Sequence, residues 1–242
     1  NSLARIFHTP KPIFEKACNH EVDTAMVRAI IDASESGYIN PDQTIGLLDA
    51  VGIPRAGQAT VYTLDAAKEA AKKIGYPMVM KVVGPIHKSD VGGVVLNVST
   101  EEKVIAEFER MMKIPETYAI LMQAMLSGTE LFVGATREDK FGHMIMCGLG
   151  GIFIEVLKDV KAALTPVSKT EALYMIQNLK GYKILEGVRG QEGVNIELFA
   201  DVIVRLSSLL QAAPEIVEMD INPLLGRAKK VVAVDARIKI EK

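Results

Sequence analysis

The sequence has no tryptophan and only two cysteines, Cys18 and Cys147, 129 positions apart. That spacing makes neither a disulfide framework nor a zinc pattern, and it fits a reducing cytoplasm. No run reaches the roughly 18 to 20 apolar residues of a membrane-spanning helix. No secretory signal is expected either. Neither sign of charge dominates: 28 Lys and Arg face 30 Asp and Glu, a net charge of -2. A nucleic-acid or membrane partner is therefore not expected. What is present is an ordinary globular balance, 49% hydrophobic and 24% charged. The 242 residues suffice for one large domain or two small ones.

Residues 1–22 hold Pro10 and Pro12 and little periodicity, and are expected to be a linker or the tail of a preceding domain. A helix is expected over 23–37, capped by Asp23 or Thr24, and a second from Pro41 to about Gly52. A third opens at Asp65 and stops at Gly75. The strand MVMKVV follows Tyr76-Pro77. After the loop GPIHKSDVGG comes the strand VVLNVS, then a helix over 100–113 with Thr100 as cap. Strands are expected at 118–125, 130–136 and 143–147, and helices at 168–180 and 195–212. EIVEMDINPLL and VVAVDARIKI read as a closing hairpin. The fold class is mixed α/β, with two α/β subdomains, 23–117 and 118–242.

Four constellations have chemical content. Lys81 interrupts an apolar strand, where it meets an anion or simply faces outward. The loop from Gly84 to Gly93 joins glycines, including Gly92 and Gly93, to His87, Lys88 and Ser89. That composition suits phosphate, although the spacing is not that of the usual P-loop, and a solvated turn has the same composition. Neutral imidazole at His87 is a competent phosphoryl acceptor. Glu218, Asp220 and Asn222 alternate with apolar residues and so share one strand face, with Asp235 on the partner strand. Oxygen ligands on two strands suit Mg²⁺ with phosphate oxygens, or else form a solvated sheet face. Finally, Gly148, Gly150 and Gly151 either admit a ligand or form a tight bend, with Glu155 and Asp159 as possible cation partners.

Taken in order, Lys81, HKSDVGGV, LMQAM with GTELFVGATRED, GLGGIFIEVLKDV, EMDINPLL and VDA resemble the ATP-grasp domain of ADP-forming acyl-CoA synthetases. These enzymes are relatives of succinyl-CoA synthetase. The resemblance spans residues 36–240. It implies an ATP-grasp fold and a reversible ligase reaction, acyl-CoA + ADP + phosphate giving acid + CoA + ATP. It also implies that Lys81 contacts nucleotide phosphates, that His87 carries the phosphoryl group, and that Met122 and Gln123 edge the base. Glu130 is placed near the ribose, and Asp220, Asn222 and Asp235 on Mg²⁺. Succinyl-CoA synthetases often have glutamate at the position of Gln123. The implied partner is a CoA-binding α subunit or N-terminal domain, within an oligomer. A carboxylate ligase using acyl phosphate would need no His87. A regulatory ATP-grasp module, as in some acetyltransferase fusions, would be expected to lack the histidine or the metal ligands.

Overall fold

The structure is a computed structural model that describes residues 21–84, 92–151, 158–188, 190 and 192–242. His87, Lys88, Ser89 and Glu155 lie outside the described residues. Two compact units divide the chain: Arg55–Gly128, and the residues up to Pro54 with Thr129–Lys242.

The smaller unit is a four-stranded antiparallel sheet under two helices. Its strands are β2 (Gln58–Val61), β3 (Met78–Val83), β4 (Val94–Val98) and β5 (Ala119–Ala124), in the order β2-β5-β3-β4. Helix α3 (Leu64–Ile74) is capped by Thr63, whose hydroxyl accepts from Ala66 N, and ends at Gly75 with φ +82°. Helix α4 (Glu101–Met111) is capped by Thr100, with Glu101 and Glu102 in its first turn and Arg110 in its last. Both charge placements complement the helix dipole. Met78, Met80, Val82, Ile120 and Met122 pack against Ala67, Ala71, Val104, Phe108 and Met111.

The larger unit opens with α1 (Thr24–Ala33), β1 (Gly37–Tyr38) and α2 (Pro41–Ala50). It resumes with β6 (Thr129–Glu138), β7 (Gly142–Leu149), β8 (Val160–Leu164), α5 (Lys169–Gln177), α6 (Tyr182–Leu185) and α7 (Ile196–Ala212). It closes with β9 (Ile216–Arg227), β10 (Lys230–Ala233) and β11 (Ala236–Ile240). The sheet order is β1-β11-β9-β6-β7-β8, with β10 also on β9. Phe199, Ile203 and Leu206 of α7 are fully buried in one core with Leu131, Ile145, Ile221 and Leu224. Asn40 and Gln43 form a reciprocal capping box at α2.

The partition differs from the expected subdomain boundary at 117/118. Strand β5 is hydrogen-bonded between β2 and β3, so the ladder holds it in the smaller unit. The leading helices bury Val27, Ile31, Leu47 and Leu48 in the core of the larger unit. The closing hairpin differs too. Its second arm breaks at Val234 and Asp235, so β9 pairs with β10 near its end and with β11 near its start. No helix among the described residues is long and apolar enough to cross a membrane.

Candidate active site

In the smaller unit, Met80 and Val82 enter the core beneath the helices, which turns Lys81 to the opposite sheet face. Val83, Ala119 and Leu121 form a separate apolar cluster on that face. Lys81 is only 8% exposed there, so it is not the solvated strand residue of the simplest reading. It lies between Leu121 and Val94 in register.

Glycines anchor the chain on either side of residues 85–91. Gly84 has φ +132°, and a Cβ there would overlap the carbonyl oxygen of Glu116. Gly92 has φ +67°, and its carbonyl accepts from Arg110 Nη2 at 3.0 Å. The buried Gly93 accepts from Val82 N at 2.8 Å.

Met122 and Gln123 part company. The Met122 side chain is fully buried in the core beneath the helices, and its backbone lies between Ala59 and Met80. It packs and offers no surface to a base. Gln123 faces the Lys81 side, buried, with Nε2 donating to Gln58 Oε1 at 2.9 Å. Sequence reasoning missed Gln58, since only the strand register sets the two glutamines side by side.

In the larger unit, Glu130 is exposed at the start of β6. Its carbonyl accepts from Gly150 N at 2.8 Å, and its carboxylate occupies the place a Cβ on Gly151 would take. A Cβ on Gly148 would come within 2.5 Å of the Asp159 carbonyl oxygen. These glycines therefore serve close backbone packing, the tight-bend reading. Asp159 is buried, and its two oxygens accept from Lys180 N at 2.9 Å and Gly181 N at 2.7 Å. Both oxygens are engaged in holding the start of α6, which corrects the reading of Asp159 as a cation partner. Burial pushes the Cys147 thiol up to about 12, leaving it un-ionised at neutral pH.

Strand β9 alternates as expected. Met219 and Ile221 are buried, while Asp220 and Asn222 point from the other face. Asp220 lies between Gly134 of β6 and Arg237 of β11. Asn222 N donates to Asp235 O at 3.1 Å, which holds the strand break against β9. Asp220 Oδ1 is buried without a hydrogen-bond partner. Burial pushes the Asp220 carboxyl up to about 6, Asp235 and Glu218 push the same way, and Arg237 opposes them.

An orphaned carboxylate oxygen beside a second carboxylate and an amide is a donor set for a hard cation, so these residues fit Mg²⁺. No three His, Cys, Asp or Glu side chains cluster as metal ligands among the described residues. Asn222 would have to complete the set. The sequence reading also missed Phe132 and Arg237. Phe132 brackets Gly134 on the Asp220 face, where a Cβ on Gly134 would lie 2.8 Å from the ring. The alternation of β6 and β11 held the signal for both once their registers were known.

Residues 31–240 match the ATP-grasp domain family. The chain is 41% identical over 202 residues to acetate–CoA ligase (ADP-forming) I subunit beta of Pyrococcus furiosus, covering 79% of this chain and 87% of that one. It is 42% identical over 197 residues to acetate–CoA ligase (ADP-forming) II of Archaeoglobus fulgidus, covering 80% of this chain but 29% of the relative. In structure it resembles the dinucleotide-forming acetyl-coenzyme A synthetase 1 of Candidatus Korarchaeum cryptofilum, solved with coenzyme A, Ca-AMPCP and HgCl⁺. The TM-score is 0.81 at 34% identity, over 90% of this chain and 98% of that one. Another structure of that enzyme holds coenzyme A and Mg-AMPPCP, with its phosphohistidine segment pointing towards the nucleotide binding site; there the TM-score is 0.78 at 32% identity, over 90% of this chain and 100% of that one. The mixed α/β fold is thus ATP-grasp, and the chain belongs to the ATP-grasp family, in its branch of ADP-forming acyl-CoA synthetases.

Proposed function

We propose that the chain is the nucleotide-binding, phosphoryl-transfer part of an ADP-forming acyl-CoA synthetase. It interconverts acyl-CoA, ADP and phosphate with acid, CoA and ATP, together with a CoA-binding subunit or domain, in an oligomer of the cytoplasm. The unpartnered, buried Asp220 oxygen beside Asp235 carries this reading, because it needs a cation of the kind that accompanies a nucleotide polyphosphate.

In this reading His87 holds the phosphoryl group between the two half-reactions. Toward ATP, the N–P bond at His87 breaks, an oxygen of the ADP β-phosphate forms the new O–P bond, and the imidazole keeps the electron pair. Lys81 offsets phosphate charge from its buried strand position, and Gly92 and Gly93 fix one end of the His87 segment. Glu130 meets the ribose and Gln123, oriented by Gln58, lies beside the base, while Met122 supports the strand from below. Asp220, Asn222 and Asp235 hold Mg²⁺, which when bound neutralises polyphosphate charge. Positioning and charge compensation account for most of the catalysis of such a transfer.

The test is incubation with Mg²⁺ and γ-labelled ATP, with and without the CoA-binding portion, followed by mapping of acid-labile, base-stable phosphate. Label on His87 that disappears in His87→Asn is expected. Undiminished label in His87→Asn, or none even with the CoA-binding portion present, overturns the assignment.

A further inference from the structure

Arg237 stands directly opposite Asp220 across the β11–β9 ladder, so the two side chains rise from the same sheet face. The other arginines with defined partners are tied down. Arg28 holds Glu215 and Asp32, Arg110 holds Glu107 and the Gly92 carbonyl, Arg137 reaches Pro214 O and Glu241, and Arg205 donates to Val51 O. Arg237 is exposed and makes no hydrogen bond or ion pair among the described residues. It does not satisfy Asp220, whose Oδ1 remains without a hydrogen bond although the guanidinium lies within its electrostatic field.

A planar fork of donors, held on the face of two carboxylates and bound to neither, is built for a planar or tetrahedral oxyanion. We infer that Arg237 is a substrate-binding residue that takes a phosphate oxygen of the nucleotide whose charge the cation at Asp220 shares. This rests on the proposed nucleotide function and adds to it a residue that neither the motifs nor the family resemblance singled out. The face then presents both signs side by side, carboxylates for the cation and a guanidinium for the oxyanion.

The experiment compares the affinity of Mg·ATP and Mg·ADP for the full chain, for Arg237→Ala and for Arg237→Lys, by calorimetric titration. Arg237→Ala is expected to weaken both nucleotides roughly 10- to 100-fold, the effect of losing hydrogen bonds between charged groups. Arg237→Lys should recover part of the loss, since it keeps the charge without the fork. An exposed side chain that makes no hydrogen bond can be removed without unfolding, and a retained cooperative thermal transition checks this.

A second pair separates a phosphate contact from support of Asp220. Metal-free ATP is titrated in chelator against Asp220→Asn and against Asp220→Asn with Arg237→Ala. A phosphate contact survives in that background, so the double variant should bind more weakly. Equal affinity in this pair would reduce Arg237 to a support for Asp220 and overturn the proposal, as would an unchanged affinity of Arg237→Ala for Mg·ATP. Failure of the unaltered chain to bind Mg·ATP at all would overturn the nucleotide reading as well.

Discussion

Removing the Asp220 charge should stabilise the metal-free protein while destroying its cation site. The carboxyl titrates at about 6 in the folded chain against 3.8 for an ordinary aspartate. At ~1.36 kcal/mol per pH unit, that gap corresponds to ~3 kcal/mol. Asp220 is only partly buried, and solvent screening leaves roughly half, ~1.5 kcal/mol. The sign follows from proton binding. Between pH 3.8 and about 6 the folded state holds a proton that the unfolded state has lost, so stability falls as pH rises through that window. Below it both states are protonated and the cost is absent; above it the cost is complete. Asp220→Asn keeps the shape and drops the charge. In chelator at pH 8 it should raise the thermal midpoint by about 3–6 °C, as ~1.5 kcal/mol does for a chain of this size. The gain should shrink as pH falls toward 4. Added Mg²⁺ should stabilise the unaltered chain and leave the variant unmoved. A variant no more stable than the parent at pH 8 in chelator, or a gain that does not change with pH, refutes the reasoning.

Three further outcomes follow from the same geometry. Asp159→Asn leaves one of the backbone N–H groups of Lys180 and Gly181 without its acceptor; thermal unfolding should show a loss of ~1–3 kcal/mol with nucleotide affinity retained. Gly84→Ala places a Cβ on the Glu116 carbonyl oxygen at a φ of +132° and should cost on the order of 1–3 kcal/mol, whereas Gly57→Ala, with open space around it, should be neutral; both are read by denaturant unfolding. Lys81→Met should weaken Mg·ATP by about tenfold or more with an unchanged circular dichroism spectrum, because the thioether fills the strand position but offers phosphate no charge.

Most elements were legible because their signals are local. Thr100 caps α4 through its side-chain oxygen and Gly75 stops α3, as their residue types dictate. The alternation in EMDINPLL placed Asp220 and Asn222 on one face correctly. Strand β8 was missed because VKAAL is a five-residue edge strand in which neither Val160 nor Leu164 is buried and the apolar residues do not alternate, so its signal is faint. Helix α6 is four residues long and depends on Asp159, 22 positions from Gly181, for its start. The subdomain boundary was misplaced for a similar reason. Nothing in residues 24–50 reveals that their apolar faces complete a core built by α7 and β9 far along the chain. Met122 read as a site residue from its motif, but strand parity, which turns it toward Ala71 and Phe108, assigns it to packing.

The larger unit holds an electrostatic feature that folding alone does not explain. It sets Asp220 near Asp235 and leaves one of its oxygens unserved. That placement is costly in a protein interior, and an apolar residue there would fold at least as well. A cation that meets the unserved oxygen accounts for its persistence. The exposed guanidinium of Arg237 beside the carboxylates adds to the same inference: a site for a metal ion alone would gain nothing from a positive charge next to its ligands, whereas a site for a metal ion already bound to phosphate would.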